Sequence, residues 1–233
     1  MRAPGAQFSH WLYAHIMSRY ERRTIRMAKD NMHGYHPSSD LADATALAPA
    51  DVAAAFAKVH TARLTLRRLR PRDGAAVFAV HSDPTTNRDT SAGSDPDRAA
   101  SNARLRSWLR RWETDGYSIW VVTRLRARRV EEILGFGGVT RLLWRDREVL
   151  TLYYRFVPRA WDQDYATEVA QTAVELARAY LPHLPIIART RPDNIAAQQA
   201  AERAGLRRHP GLDTAHIVFT LGWTPTIEPA ERA

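Results

Sequence analysis

The stretch RAWDQDYATE, Arg159 to Glu168, stands between an alternating apolar run, EVLTLYYRFV, and an amphipathic one, ATEVAQTAVELARAYL. A turn that leads from a strand into a helix exposes unpaired backbone N–H groups at the positive end of the helix dipole, and so it suits an anion. Glycine serves such turns because it allows close backbone approach and unusual φ. Asp162 and Asp164 stand here instead, each bringing a Cβ and a negative charge. Two unit charges about 4 Å apart repel by ~1 kcal/mol in water-like surroundings and by ~4 kcal/mol at an effective dielectric near 20. Each carboxylate is therefore expected to weaken anion binding by a factor of roughly five to a thousand. Aspartate is also a good N-cap, so Asp162 or Asp164 is expected to occupy the N–H groups that would otherwise face the anion. The turn reads as an anion site partly closed by its own side chains.

Other chemistry-bearing residues have structural readings beside the functional ones. GFGG, Gly135 to Gly138, lies inside a strand pattern and lacks the full GxGxxG context, so its glycines read as a bulge or a close backbone approach. Asn194 opens the helical run DNIAAQQAAERAG and suits its cap. Glu168 falls in the first turn of its helix, where the dipole favours it. Tyr153, Tyr154 and Trp161 suit either an acceptor pocket or the core. The absence of cysteine excludes disulfides and thiolate zinc sites, which leaves the pair His33 and His36 in HGYH as a weak metal candidate. No metal is expected.

These residues need elements to position them. Phe8, Trp11, Leu12, Ile16 and Tyr20 recur at three- and four-residue steps, so residues 8–29 read as a basic amphipathic helix, followed by a second helical piece over 50–59. ARLTLRRL alternates as a strand, and RPRDGAAVFAVHSD has helical spacing. PDRAASNARLRSWLRRWETDG predicts a helix with the stripe Ala103, Leu105, Trp108, Leu109 and Trp112, stopped at Gly116. YSIWVVTR, EEILGFGGVTRL and EVLTLYYRFV follow as strands on short turns, which favours antiparallel neighbours. The helix from Ala166, the strand PIIART, the helix after Asn194 and a hairpin of LRRHPG with HIVFTLGW complete the pattern. The fold class expected is α/β: a mixed, mostly antiparallel sheet of six to seven strands flanked by helices. The expected domains are an N-terminal helical arm over 1–60, a body over 61–224 and a loose tail over 225–233.

TARLTLRRL with DGAAVFAVHSD, ILGFGGV, LYYRFVPRAWDQDYATEVA and RPDNIAAQQAAERAGL fall in an order and spacing that resemble the GNAT N-acyltransferase superfamily. The resemblance is closer to its branch that acetylates ribosomal-protein N-termini, and it covers about Thr61 to Trp223. It implies transfer of an acyl group, acetyl by default, from acetyl-CoA or another acyl-CoA to an amine by direct attack in a ternary complex. The family turn, Gln/Arg-x-x-Gly-x-Gly/Ala, holds the diphosphate of coenzyme A. Arg159 fills its first place, Asp162 and Asp164 its glycine places, and Trp161, Gln163, Tyr165 and Ala166 complete it. The resemblance further implies that the pantetheine arm pairs along the strand at Phe156 and Val157, with help from Asn194. A backbone N–H near Phe156 or Val157 would serve as oxyanion donor, and Glu148 is the nearest match to the family base, with a solvated strand-end Glu as the other reading. The family's late-helix tyrosine falls on Ala201 and is absent.

The net charge is +9, and basic residues outnumber acidic ones 19 to 11 over 61–156 but not over 157–233, where they stand 8 to 9. That asymmetry keeps open a second donor, an aminoacyl-tRNA, met by Arg67, Arg68, Arg124, Arg126, Arg128, Arg129, Arg141, Arg145 and Arg147, whose binding would be strongly salt-dependent. A non-catalytic GNAT-like binding module is the third reading. The acceptor is an amine-bearing small molecule or a protein N-terminus, and the arm suggests a homodimer. The sequence carries neither a bilayer-spanning run nor a signal-peptide pattern, so no membrane association and a cytoplasmic location are expected.

Overall fold

The computed structural model describes residues 48–87, 94–125 and 131–224. The helix read over 8–29, the His33 and His36 pair, Arg126, Arg128, Arg129 and the tail lie outside these residues.

Eight strands form one sheet: β1 (Lys58–His60), β2 (Leu64–Arg68), β3 (Ile119–Arg124), β4 (Ile133–Trp144), β5 (Arg147–Phe156), β6 (Ile186–Thr190), β7 (Arg207–Arg208) and β8 (Ile217–Leu221). Their spatial order is β1-β2-β3-β4-β5-β6-β8-β7. Among the described residues five helices flank it: α1 (Pro49–Ala57), α2 (Gly74–His81), α3 (Arg98–Thr114), α4 (Tyr165–Tyr180) and α5 (Ile195–Arg203), with a single helical turn at Pro84–Asn87. The strand beyond the expected seven is β1. Val59, read as the end of a helix, pairs with Leu66 instead, because the alternation of Lys58, Val59 and His60 buries only the valine. Helix α1 and β1 therefore join the body rather than the arm: Phe56 is fully buried, stacked on Trp120, and its carbonyl accepts from the Trp120 indole at 2.6 Å.

Every neighbouring strand pair is antiparallel except β5 and β6. Helix α4 carries the chain across from one to the other, and a crossover of that length is what a parallel pair requires. Pairing between them is confined to Leu150 with Ile186 and Thr151 with Ile187, whereas β5 stays paired to β4 as far as Phe156. The two strands thus part beyond Thr151, and the gap between them is the feature that creates a site.

The two faces of the sheet carry different helices. His81 of α2 and Trp108 of α3 lie against Phe136 and Tyr153. On the other face α4 comes so close that a Cβ on Gly137 would stand 2.7 Å from a methyl of Val169. The register of β3 against β4 slips between Val122 and Thr123, which leaves a bulge beside Gly135. Along α3, Leu105, Trp108 and Trp112 are buried as the spacing predicts, but Ala103 faces solvent and Ser101 is buried, bonded to Asp95 at 2.7 Å. The stripe on α3 is thus displaced toward the position that can satisfy a polar partner.

Candidate active site

At the gap, a cleft of about 570 Å³ is bounded by the end of β5, the N-terminus of α4 and the helix α5. Phe156, Trp161, Asp162, Asp164, Tyr165, Ala166 and Asn194 all line it. Of the other expected site residues, Gln163 stands in the turn between the two aspartates and gives its carbonyl to Arg63 at 2.8 Å. Val157, Arg159 and Glu148 are not part of the cleft wall.

The turn keeps the backbone of a glycine turn without the glycines. Asp162 has φ 56° and Asp164 φ 59°. Both lie in the left-handed region, which aspartate enters more readily than most side-chain-bearing residues. The expected capping does not occur, for no Asp164 side-chain bond closes the N-terminus of α4. Its carboxylate is drawn sideways to the Thr167 hydroxyl at 2.7 Å and to Arg203 of α5 at 2.9 Å. The first backbone bond of α4 runs from Glu168 N–H to the Asp164 carbonyl, so the N–H groups of Tyr165, Ala166 and Thr167 have no acceptor within the helix. The carboxylates therefore do not occupy these amides, and the expected capping is corrected. Asp162 has no hydrogen bond or ion pair to another described residue.

Two arginines outside the turn hold it. Arg63, just ahead of β2, donates through Nε to Glu168 at 2.7 Å and lies 4.8 Å from the centre of the Tyr165 ring. Glu168 also accepts from the Arg63 backbone at 3.0 Å and from the Thr61 hydroxyl. Its role is a tie between the anion turn and the edge of β2, beyond the dipole interaction expected for it. Neither Arg63 nor Arg203 carries a local sequence signal, since their partners are 105 and 39 residues away.

Arg159 bonds instead to Glu132 and to the Ile133 carbonyl, both at 3.2 Å, at the start of β4. Val157 turns its N–H to the Leu134 carbonyl at 2.9 Å, which removes it as an oxyanion donor. Antiparallel alternation then directs the N–H and C=O of Phe156 to the gap side, where the carbonyl accepts from the Trp161 indole at 3.0 Å. Glu148 sits opposite Leu143 near the hairpin turn, more than half exposed and paired with Arg141 at 3.4 Å. Eight residues of strand separate it from Phe156, or about 27 Å, so Glu148 stands at the solvated strand end, away from the cleft. Asn194 does cap α5, accepting from Ala197 N–H at 3.0 Å, while it lines the cleft. Ala201, where a tyrosine was absent, is fully buried. The phenol of Tyr154 reaches the same helix from β5 and donates to the Ala197 carbonyl at 2.7 Å.

Among the described residues, the arginines considered for nucleic acid fall in two different places. Arg67, Arg68 and Arg124 line a groove of about 780 Å³ together with Glu113 and Glu131. Arg145 and Arg147 lie on Trp144 and Trp223 at the β4–β5 hairpin, and Arg67 is buried and ion-paired.

A buried polar pair stands on the opposite face of β5. His81 is wholly buried, with Nδ1 at 2.8 Å from the Val77 carbonyl and Nε2 at 2.7 Å from the Tyr153 hydroxyl. Burial above all, aided by the cations Arg155 and Arg104, lowers its pKa to about 3. The folded state thus refuses a proton that the unfolded chain accepts from pH 6.5 downward. More protons bind to the unfolded state, so stability is full above pH 6.5 and falls with pH until about 3. The slope is ~1.4 kcal/mol per pH unit, or about 2 kcal/mol by pH 5. Urea unfolding at pH 7 and pH 5 is expected to show this difference in the natural protein and a much smaller one in His81→Gln. Equal pH dependence in the two proteins would refute it.

Residues 63–207 match the family model described as the acetyltransferase (GNAT) domain. Among solved structures, an acetyltransferase from Agrobacterium tumefaciens aligns at a TM-score of 0.60 and 21% identity, over 71% of this chain and 94% of that one. A GNAT-family acetyltransferase from Bacillus anthracis aligns at 0.52 and 18%, over 70% and 95%. RimL, a ribosomal L7/L12 α-N-protein acetyltransferase in complex with coenzyme A, aligns at 0.53 and 10%, over 69% and 94%. The three likenesses establish the fold, and the family match spans more than half of the sequence. With its parted central strands and the turn between them and α4, this chain belongs to the GNAT acetyltransferase family.

Proposed function

We propose that this protein transfers an acyl group, acetyl by default, from a coenzyme A thioester to a primary amine. The observation that carries this reading is the uncapped amide cradle of Tyr165, Ala166 and Thr167 at one end of a cleft that follows the gap between β5 and β6. The cradle and the helix dipole would hold the diphosphate, and the Phe156 N–H lies where it could meet a developing oxyanion. In the reaction the amine nitrogen bonds to the acyl carbon, the carbon–sulfur bond breaks, and the proton lost by the nitrogen is carried by water to the thiolate. Water takes that part because Glu148 is remote from the cleft. An acceptor of the protein N-terminus class or a small amine fits this chemistry equally.

Asp162 sets the donor affinity in this reading. Asp164 is matched by Arg203, although both are more than half exposed, so that pair contributes under ~1 kcal/mol. Asp162 leaves a negative charge on the cleft wall. Asp162→Asn keeps a side chain suited to positive φ and removes the charge. Calorimetric titration with acetyl-CoA is expected to give micromolar binding to the natural protein and about tenfold tighter binding to Asp162→Asn. No binding to either protein up to about millimolar, or roughly −4 kcal/mol, would sink the reading. Salt-sensitive binding of charged tRNA in its place would then identify the donor.

A further inference from the structure

Charge on the cleft wall is balanced in number but not in place. Among the described residues the wall holds two aspartates, Asp162 and Asp164, and two arginines, Arg155 and Arg203. Arg155 is buried, with its guanidinium 5.8 Å from the centre of the Tyr153 ring on the face that bears α2 and α3. Arg203 belongs to the other end. Side chains at three- and four-residue steps share one face of a helix, and Ala196, Gln199, Ala200 and Arg203 of α5 all line the cleft. The stripe is uncharged until Arg203, the last residue of α5, which brings a cation to the turn that opens α4.

Asp164 fixes its place. Nη1 of Arg203 stands 2.9 Å from Oδ1 of Asp164, and the Thr167 hydroxyl donates to the same oxygen at 2.7 Å. One carboxylate oxygen therefore joins the cation of α5 to the first turn of α4, beside the amides that have no acceptor within the helix. A guanidinium carries five N–H donors in a planar fork. Among the described residues that of Arg203 has no second partner, and more than half of the side chain is exposed. A glycine in place of Asp164 would leave this arginine without its anchor.

Resting on the acyl-transfer reading above, we infer that Arg203 is a donor-binding residue whose guanidinium meets the diphosphate of the coenzyme A thioester at the N-terminus of α4, and that Asp164 is the residue that positions it. Bonds from arginine to phosphate are charge-assisted, and the planar fork suits two phosphate oxygens at once. The diphosphate is the partner, rather than the ribose phosphate of the coenzyme, because the bridge through Asp164 and Thr167 keeps the cation beside the open amides. Asp164 thus brings a negative charge to an anion site and recruits an arginine with donors to spare. Asp162 recruits none, so the two aspartates act in opposite senses.

The test is calorimetric titration of acetyl-CoA into the natural protein, Arg203→Gln, Asp164→Asn and the double variant. Asparagine keeps a side chain suited to positive φ, and the pair is exposed, so each variant should keep its thermal midpoint within a few degrees. Arg203→Gln is expected to bind acetyl-CoA about tenfold more weakly. Asp164→Asn should bind about threefold more weakly when Arg203 is present, because the cation loses its anchor. With Arg203→Gln in place, the same change should tighten binding about threefold, because only repulsion is left to remove. A purely structural role for the pair does not reverse sign in this way. Unchanged affinity in Arg203→Gln, or the same direction of change from Asp164→Asn in both backgrounds, overturns the inference and leaves acyl transfer intact. Acetyl-dephospho-CoA, which lacks the ribose phosphate, separates the two anions. Arg203→Gln should lose the same factor with it, and disappearance of the loss would overturn the assignment to the diphosphate. No binding of acetyl-CoA to the natural protein up to about millimolar overturns the function reading and this inference together.

Discussion

Arg67→Met destabilises the protein by about 3–5 kcal/mol, the range for breaking a buried ion pair from one side. Arg67 is nearly sealed from solvent and divides its guanidinium between two carboxylates: Nη1 and Nη2 meet Asp73 at 2.9 and 2.8 Å, while Nε and Nη2 meet Glu131 at 2.5 and 2.8 Å. Asp73 is 4% exposed, so loss of the arginine strands its charge inside the fold. Asp73 also accepts from the Arg70 backbone at 2.7 Å, and that bond sets the turn into α2. Burial alone would lower the Arg67 pKa, but its two carboxylate partners outweigh burial and raise it, so it stays charged throughout. For a domain of this size the thermal midpoint should fall by roughly 10 °C. Asp73→Asn added to Arg67→Met should recover part of the loss, since the stranded charge is gone. Glu131 supplies a second check: its hydrogen bond to Arg67 lowers its pKa below 4.5. That contribution is present above pH 4.5 and lost as pH falls through the lowered value, so Arg67→Met should lack this part of the acid slope. A loss under 1 kcal/mol in urea unfolding would show that the network contributes no more than a surface pair.

Gly135→Ala is expected to cost about 3 kcal/mol and to reduce acyl transfer by at least a hundredfold. A Cβ at this position would stand 2.2 Å from the Arg155 carbonyl oxygen and 2.8 Å from the Phe156 Cα. Both are backbone atoms of the strand that borders the gap, and neither can yield by rotating a side chain. The alanine must push β5 away from β4, and Phe156 moves with it. Displacement of about 1 Å at a reacting centre is enough for a loss of that order. Gly74→Ala is the fitting control, because its Cβ would meet only side-chain atoms at 3.4 and 3.5 Å. Comparable activity and midpoint in Gly135→Ala and the natural protein would show that β4 and β5 can separate without harm to the site.

The patterns that repeat within one element were readable. Alternation marked β2 and β5, apolar runs bounded by turns marked β3, β4 and β6, three-and-four spacing marked α3 and α4, and Asn194 and Gly205 marked the ends of α5. Short-range glycine logic also served, for the bulge beside Gly135 and the close approach at Gly137 both appear. Adjacent tyrosines on a strand must face opposite ways, so Tyr153 and Tyr154 of YYRF cannot share a face. The sequence could not say which face led to the donor end of the cleft, because that depends on which helices cover each side.

The site was less legible because its pieces are joined over long separations. Asp162 and Asp164 were recognisable at glycine places, and the electrostatic conflict they pose follows from residue type alone. Whether they cap the helix depended on competing partners: Arg203 and Thr167 take the Asp164 carboxylate, and the turn adopts left-handed angles that leave the amides uncapped. Glu148 stands away from the cleft for a similar reason. Residue type admitted it, but strand length and register put it at the far end of β5. Sequence by itself determined most of the elements, their order and the strand-to-helix turn, since these rest on local periodicity and backbone chemistry. Tertiary structure decided which charges are neutralised, where β5 and β6 part, and which tyrosine meets His81, since those depend on groups brought together across the chain by the packing of the sheet and its two helical layers.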